Sequence, residues 1–387
     1  MSTIKVDGIR SNSASSDAIT LAADGTCTAS VTNNLSNRRI NINGGMLVWQ
    51  RNTSVSVSDG SNEDYQSVDR YGFKFGNNAA GACTVSQSTD VPTNLGFPYS
   101  YKIDVTTVND NSSANTQIQF FQRLEAQDIV NSGWKYNDSN SFLTISFYFK
   151  SNKSGTNKLP VQVQTQDGTS YFYVSEITQS DTNWNRHTVK IPGNSNLTFD
   201  NNNGYGLEVS WYFTVGSSLQ GAADTWTTSA RHGTSNSTNY FDSTSNDMFI
   251  TGIQIEATTN GIATDFEHRS YADELRACQR YFLRIPNQNA SSGYAFLAQA
   301  AAHDTNSCLC NLHFPVFMRT NPSMSTPGSL RLYNGGGITI SSLIMNTSTV
   351  AGACLQISSS SGIDRYEALS FGQNNDSDAS VDFYAEI

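Results

Sequence analysis

Charged residues and long apolar runs are both scarce in this sequence. Only 14% of its 387 residues are charged, against about 25% in an ordinary globular protein, and no stretch reaches the roughly 20 apolar residues that a membrane helix needs. We therefore predict no membrane insertion. The 23 basic residues are outnumbered by 33 acidic ones, for a net charge of -10. Because the basic residues form no stripe, nucleic acid is excluded as a general partner.

Cysteine is also sparse, and its spacing fits neither a disulfide scaffold nor a zinc ribbon. The six cysteines include one close pair, Cys308 and Cys310, with His313 nearby. Strand alternation places the two cysteines on one face and the histidine on the other, which favours a core strand over a metal site. The run at 335–337 has three glycines but lacks the Lys-Ser/Thr of a phosphate loop. We expect no metal and no cofactor.

Serine, threonine and asparagine supply much of the polarity, and these residues suit turns and the solvent-facing positions of strands. Apolar and polar residues alternate in segments such as Leu143 to Phe149 and Leu207 to Val215, with turn-forming clusters between them. A period of two predicts strands, and so many strands without helical periodicity indicate antiparallel sheets. Trp211 falls on an apolar face and is predicted to be a core residue. The fold class is therefore predicted to be all-β.

The strand signals divide the chain into four parts. Residues 1–38 hold apolar fragments too short to form a core, so we expect an extended N-terminal arm that packs on other molecules, or alternatively a loose tail. Residues 39–265 fit an antiparallel, jelly-roll-like β-sandwich body, and residues 285–387 fit a smaller C-terminal β-sandwich. Residues 266–284 contain the single convincing helix, a short connector that we predict to be N-capped by Ser270.

Three segments carry motifs that belong together. Residues 41–51, NINGGMLVWQR, with Asp69-Arg70-Tyr71 after them, are similar to an "NG-x-x-x-WQR … ADRW" pattern in which Tyr71 replaces the usual Trp. Residues 249–282 are similar to "GVQLE … AT-x-FEHR-x-Y-x-x-EL-x-x-CQRYF", and residues 314–322 to "F-x-x-x-MR-x-x-P". These patterns resemble those of the receptor-binding and tail-fibre proteins of tailed bacteriophages. In that family the first pattern opens a carbohydrate-binding-like jelly roll, and the second pattern closes it.

The resemblance implies a virion protein that assembles as a homotrimer. Its arm, residues 1–38, would bind other phage tail or virion proteins, and its β-domains would recognise host cell-surface glycan. The implied location is the phage tail within the virion. The alternative is a capsid-attached fibre or decoration protein on the capsid surface, with an architectural role. Symmetric association is independently favoured, because an arm without a core and an unpaired strand edge both gain from partners.

Acidic residues that could cleave a glycan do not form a diagnostic pattern. The candidates belong to strand ends, turns or polar strand faces, and the chain lacks the β-helix repeat that depolymerase spikes usually show. They are Asp64, Asp69, Glu208, Glu256, Asp265 and Glu267. We therefore expect no catalytic residue, and a glycan depolymerase is the less favoured alternative.

A charged trio precedes the helix. Glu267, His268 and Arg269 are interpreted as a joint between the two β-domains, because charged residues before a helix suit capping and ion pairs. A catalytic role for them is the alternative.

Aromatic residues in polar surroundings are the candidates for binding sugar, since sugars pack on aromatic faces flanked by amide and carboxylate groups. Trp134, Trp226 and Tyr240 have polar neighbours in the larger domain, while Tyr294 and Tyr333 lie near glycine-containing turns in the C-terminal domain. Packing at a sandwich edge is the alternative for each. We expect the distal loops, as a region, to carry the glycan-binding site.

Overall fold

The computed structural model describes residues 6–23, 26–29, 37–59, 65–77, 79–286 and 293–387. Regular structure in these residues is almost entirely antiparallel β-strand, which confirms the all-β prediction. The remainder of the predicted arm, namely residues 1–5, 24–25 and 30–36, lies outside the described residues.

The N-terminal arm forms a three-stranded sheet in the order β1-β2-β3. None of the arm residues whose burial is described is buried, and the apolar side chain of Ile9 is 53% exposed. This agrees with the expectation that the arm has no core of its own. Its strands are β1 Gly8–Ile9, β2 Ile19–Leu21 and β3 Cys27–Ala29.

The larger domain is a sandwich of two antiparallel sheets. One sheet has the order β11-β10-β13-β8-β5 and the other has the order β12-β9-β14-β7-β6-β4. Trp211 and Phe147 are completely buried between the sheets, with ring centroids 5.5 Å apart, so the core prediction for Trp211 is confirmed. The strands are β4 Ser54–Ser58, β5 Gly72–Gly76, β6 Ala82–Ser88, β7 Ser100–Thr107, β8 Gln117–Glu125, β9 Phe142–Ser151, β10 Asn157–Thr165, β11 Phe172–Gln179, β12 Asn185–Pro192, β13 Tyr205–Val215 and β14 Asp247–Thr258.

Two α-helices occur in the described residues, α1 at Ala126–Val130 and α2 at Tyr271–Gln279. The sequence predicted only α2, because the five residues of α1 are too few to establish a helical period. Ser270 caps α2 as predicted, since its Oγ accepts the backbone N–H of Asp273 at 3.2 Å. No helix in the described part of the chain is long and apolar enough to span a bilayer.

The C-terminal domain contains a three-stranded sheet, β15-β24-β18, and a seven-stranded sheet, β20-β19-β23-β16-β17-β22-β21. Because β15 follows α2 directly and pairs with β24, this domain begins at Phe282, slightly before the predicted residue 285. The strands are β15 Phe282–Ile285, β16 Phe296–Ala302, β17 Ser307–His313, β18 Ser323–Ser325, β19 Leu330–Tyr333, β20 Gly337–Thr339, β21 Ser342–Thr349, β22 Gly352–Ser358, β23 Ala368–Gln373 and β24 Val381–Tyr384.

The cysteine pair lies on β17 in the core of the C-terminal domain. Cys308 and Cys310 are completely buried, and His313 is exposed on the opposite face, as strand alternation predicted. Burial raises the pKa of the two thiols, to about 11 and about 12 respectively. Within the described residues, no group of three or more histidine, cysteine or acidic side chains is arranged to hold a metal ion.

Candidate functional site

The Asn-Gly motif near the start of the larger sandwich is a structural turn. Asn43 has a left-handed backbone, with a φ of 58°. Its side-chain oxygen accepts the N–H groups of Leu47 and Val48 at 2.8 and 2.9 Å, and its amide nitrogen donates to the carbonyls of Val48 and Asp69 at 2.9 and 3.0 Å. All four bonds are internal, so this motif holds the turn together rather than facing a ligand.

Glu267 and Arg269 fasten the first residues of the larger sandwich to the segment that precedes α2. The Glu267 carboxylate accepts three consecutive backbone N–H groups, those of residues 37–39, at 2.8 to 2.9 Å. Partial burial alone would raise the pKa of Glu267, but these hydrogen bonds and the nearby Arg269 bring it below its usual value. Arg269 also donates to the carbonyl of Arg39.

His268 completes this joint by packing. Its ring lies 5.1 Å from the ring of Phe97 and 4.8 Å from that of Phe266, and burial lowers its pKa. The three residues therefore act within the larger sandwich, where they connect its first residues to its last. The sequence interpretation placed them between the two β-domains. The sequence did not indicate that residues 37–39 bind this segment, because more than 200 positions separate them.

Buried arginines from the WQR and DRY motifs link the larger sandwich to the C-terminal domain. Arg51 and Arg70 both donate to the carboxylate of Glu386, the Arg51 bond measuring 2.9 Å. Their guanidinium groups also lie over aromatic rings that follow α2, Arg51 at 3.8 Å from the centroid of Phe282 and Arg70 at 3.4 Å from that of Tyr281. We call these five residues the arginine junction: Arg51, Arg70, Tyr281, Phe282 and Glu386. The sequence analysis did not identify it.

The acidic candidates for catalysis are occupied by internal partners. Asp69 accepts the backbone N–H of Gln50 at 2.6 Å, and burial raises its pKa to about 6 although Arg51 and Gln50 oppose that shift. Glu208 accepts from Arg123 at 2.9 Å. Glu256 is completely buried and accepts the N–H and hydroxyl of a nearby threonine. Asp64 lies outside the described residues.

Two of the predicted glycan-binding residues are core residues. Trp134 is 3% exposed and donates its Nε1 proton to the carbonyl of Ser141 at 3.2 Å. Tyr240 is completely buried, with its ring 5.9 Å from that of Phe149 and 6.0 Å from that of Phe213. Their expected surface position is wrong. Their neighbours in sequence are polar, but both rings pack against aromatic side chains that are distant in the chain, which for Trp134 include Phe199 at 6.3 Å between centroids.

Trp226 is half-buried at the edge of the larger sandwich. Its Nε1 donates to the carbonyl of Pro192 at 2.8 Å, and its ring lies 5.2 Å from that of Tyr173. These contacts fit the alternative of edge packing. The outer face of the neighbouring five-stranded sheet is also covered, since Tyr212 is 1% exposed beneath the stacked ring of His232, with 4.8 Å between centroids. That sheet face is closed at this point.

Tyr294 and Tyr333, the remaining two predicted residues, come together on the seven-stranded sheet of the C-terminal domain. The guanidinium carbon of Arg331 lies 4.7 Å from the ring centroid of Tyr294 and 5.2 Å from that of Tyr333. The Phe296 ring lies 5.8 Å from that of Tyr333. Phe296 is 57% exposed and Tyr294 is 43% exposed. We call Tyr294, Phe296, Arg331 and Tyr333 the aromatic surface.

Strand register explains how the aromatic surface forms. Phe296 on β16 and Arg331 on β19 are both paired with Gly372 on the intervening strand β23, so they share one face of the sheet. Gly372 has no room for a side chain, because a Cβ there would lie 2.4 Å from a backbone oxygen. The next row holds Gln299, whose amide donates to the hydroxyl of Ser370 at 3.4 Å. Amide and hydroxyl groups therefore border the rings.

No family model matches this chain, and no curated protein matches it in sequence. Solved structures with some similarity include the enzymatically active domain of tailspike protein 4 of bacteriophage CBA120, which is 13% identical, with a TM-score of 0.28 over 52% of this chain and 22% of that chain. A family 11 carbohydrate-binding module from Clostridium thermocellum, solved with a β-1,3-1,4-mixed-linked tetrasaccharide, is 12% identical, with a TM-score of 0.27 over 55% of this chain and 99% of that chain. A putative sugar-binding protein from Bacteroides thetaiotaomicron is 12% identical, with a TM-score of 0.31 over 57% and 100%.

Proposed function

We propose that this protein is a non-enzymatic phage tail fibre that recognises host cell-surface glycan through the aromatic surface of its C-terminal domain. The observation that carries the proposal is the clustering of three rings on an exposed sheet face, two of them about half exposed. Scattered exposed apolar side chains are ordinary, but a contiguous group bordered by polar residues is typical of a binding surface.

The chemistry of this surface suits a sugar. The apolar C–H face of a sugar ring can pack on Tyr294, Phe296 or Tyr333, and the hydroxyl groups around it need donors and acceptors. Gln299 and Ser370 lie beside the rings and supply both. Arg331 is held between two tyrosine rings, which reduces the conformational entropy that it would lose on binding.

The arm supports a role in attachment to the virion. Val6, Ile9 and Leu21 are 44%, 53% and 39% exposed, so apolar surface of the arm is left for other phage tail or virion proteins, or for the arms of a homotrimer, to cover. Three copies of a weak glycan site on one fibre would raise apparent affinity by roughly 10² to 10⁴ without any deep pocket. An open surface is therefore sufficient for host recognition.

A glycan array tests the binding proposal. The purified protein should retain at least one host-surface glycan, and Tyr294→Ala and Phe296→Ala should each reduce retention about tenfold, because each removes a ring face. Tyr366→Ala is the matched control: Tyr366 is 80% exposed in the same domain and also lies beside an arginine, at 5.0 Å from Arg365. It should bind as the unmodified protein does.

Equal losses in the control, or no glycan retained by the unmodified protein, would contradict the proposal. Antibody labelling of purified virions tests location separately. Signal at the tail is expected, and signal on the capsid faces would favour the architectural alternative. Shortening of host polysaccharide on incubation with the protein would instead indicate a depolymerase.

A further inference from the structure

A concave region lies between the larger sandwich and the C-terminal domain. This domain cleft has a volume of about 930 Å³ and takes aromatic side chains from three separate parts of the chain, Trp49, Tyr99 and Tyr271. Its size falls within the range of about 300 to 1,000 Å³ that small-molecule sites occupy. The aromatic surface described above contributes no residue to the cleft, so the two are distinct.

The orientation of Trp49 is fixed. Its Nε1 donates to the carbonyl of Met46 at 2.7 Å, and its ring stacks on the buried ring of Tyr101 with 5.9 Å between centroids and 21° between planes. One face of the indole is therefore covered by the core, and the half-buried Trp49 lines the cleft. Tyr271, at the start of α2, is 44% exposed on the cleft wall. A flat, apolar ligand face would find preformed partners here.

The cleft also holds buried polar atoms that lack partners among the described residues. Gln50 is 7% exposed, and its amide nitrogen donates to Asp69 and to the carbonyl of Phe282, both at 3.0 Å, while its Oε1 accepts nothing. Arg51 is 8% exposed, and its Nε has no acceptor. An unsatisfied buried group costs about 1 to 3 kcal/mol. Both atoms are inaccessible to solvent, so a ligand in the cleft would have to use the exposed amide and hydroxyl groups of the lining instead.

The charges of the cleft favour an uncharged ligand. Its two arginines are already neutralised, Arg51 by Glu386 at 2.9 Å and Arg284 by Asp382 at 2.7 Å. The exposed carboxylate of Asp378 also lines the cleft and would repel an anion, and the remaining lining is supplied largely by amide, hydroxyl and proline side chains, including the half-buried Gln87. An anionic ligand would have to compete with buried carboxylates for these guanidinium groups, and such carboxylates are held by charge-assisted hydrogen bonds.

We propose that the domain cleft is a binding site for an uncharged oligosaccharide. Rings supply apolar faces, and the amides and hydroxyls of the lining supply hydrogen bonds. The site is independent of the aromatic surface, so a negative result for the cleft would leave the function proposed above unaffected. A ligand seated here would touch both domains and would stabilise their arrangement.

Titration of the full-length protein with soluble neutral hexasaccharides tests this proposal. The probes are cello-, xylo-, manno-, malto- and chitohexaose, with hexagalacturonate as the anionic comparison. Calorimetry and tryptophan fluorescence measure the binding. At least one neutral probe should bind saturably and change the fluorescence. Tyr271→Ala should weaken that binding about tenfold and Gln87→Ala about threefold. Tyr294→Ala, on the aromatic surface, should leave it unchanged.

Three outcomes would overturn the proposal: no saturable binding of any neutral probe, tighter binding of hexagalacturonate than of every neutral probe, or equal loss in the Tyr294→Ala variant. Tyr271 and Gln87 are at least partly exposed, and neither side chain is part of the core. Circular dichroism of each variant confirms that its fold is intact before the titration. Loss of glycan-array binding in Tyr294→Ala without any change in this titration separates the two sites.

Discussion

Removal of Glu386 should detach the C-terminal domain from the larger sandwich. The side chains of Arg51 and Arg70 are only 4% and 1% exposed, and Glu386, which pairs with both, is 11% exposed. Burial alone would lower the pKa of Arg70, but Glu386 keeps it above its usual value. In a Glu386→Ala variant Arg51 still has Asp69 at 3.3 Å, whereas Arg70 has, among the described residues, only a carbonyl and an aromatic ring.

Breaking a buried ion pair from one side costs about 3 to 5 kcal/mol, since the remaining charge is left uncompensated. This is a large part of the roughly 5 to 15 kcal/mol that stabilises a domain. With a urea dependence of about 2 kcal/mol per molar, the unfolding midpoint should fall by about 2 M. Glu386→Gln keeps the shape and one acceptor, so it should cost less, about 2 kcal/mol.

Parallel urea unfolding by circular dichroism and tryptophan fluorescence measures the effect. All five tryptophans lie in the larger sandwich, and of these Trp49 lines the domain cleft, so fluorescence reports mainly that domain, while circular dichroism reports both. The two transitions should coincide in the unmodified protein, and in Glu386→Ala the circular dichroism transition should come first. Asp242→Ala is the control, because its 46% exposed carboxylate pairs with Lys153 at the surface and should contribute less than about 1 kcal/mol. Equal costs for the two variants would refute the importance of the arginine junction.

Two further substitutions test the larger sandwich. Gly44→Ala should destabilise it by about 1 to 3 kcal/mol in the same urea assay, because the added Cβ would lie 1.9 Å from the carbonyl oxygen of Ile253; an unchanged midpoint would contradict this. Burial lowers the pKa of His232 to about 4 from 6.5. The stability that this neutral buried ring provides is therefore present above about pH 6.5 and is lost as the pH falls toward 4. Between pH 7.5 and 5 the loss should be about 2 kcal/mol. His232→Asn should remove that part of the pH dependence, and an identical pH profile would show that the ring is not responsible.

Features set by local chemistry were predictable from the sequence. Strand alternation identified Trp211 as a core residue and placed Cys308 opposite His313, since a period of two fixes which side chains share a face. Ser270 was predicted as a helix cap because capping depends on residues within one turn. In each case the determining neighbours are close in the chain.

Features set by distant partners were not predictable in the same way. Trp134 and Tyr240 have polar neighbours in sequence, yet both rings are buried against aromatic residues that are distant in the chain. The hydrogen bond from Arg51 to Glu386 joins residues 335 positions apart. The residues next to Arg51 and Glu386 in sequence do not indicate this pairing. A buried charge needs a partner, and that partner can lie anywhere in the chain.

The aromatic surface is an intermediate case. Turn chemistry pointed to Tyr294 and Tyr333 separately, but their meeting around Arg331 depends on the strand order β19-β23-β16, in which β23 comes last in sequence and lies between the other two. Phe296 was missed because a single phenylalanine at a strand start is usually a packing residue. An exposed pair of rings becomes visible only when the register is known.

The phage-like motifs and the proposed glycan surface occupy different parts of the molecule, and this has a consequence for specificity. Residues 41–51 and 249–282 supply internal contacts, among them the bond from the backbone N–H of Asn43 to Glu274 of α2. Tyr294 and Arg331 lie outside every motif. A motif that organises the domain junction can accompany many ligand surfaces, because most of its hydrogen bonds are satisfied within the protein. The motifs therefore bear on architecture and, through Trp49, Arg51 and Tyr271, on the lining of the cleft, whereas the aromatic surface lies outside them.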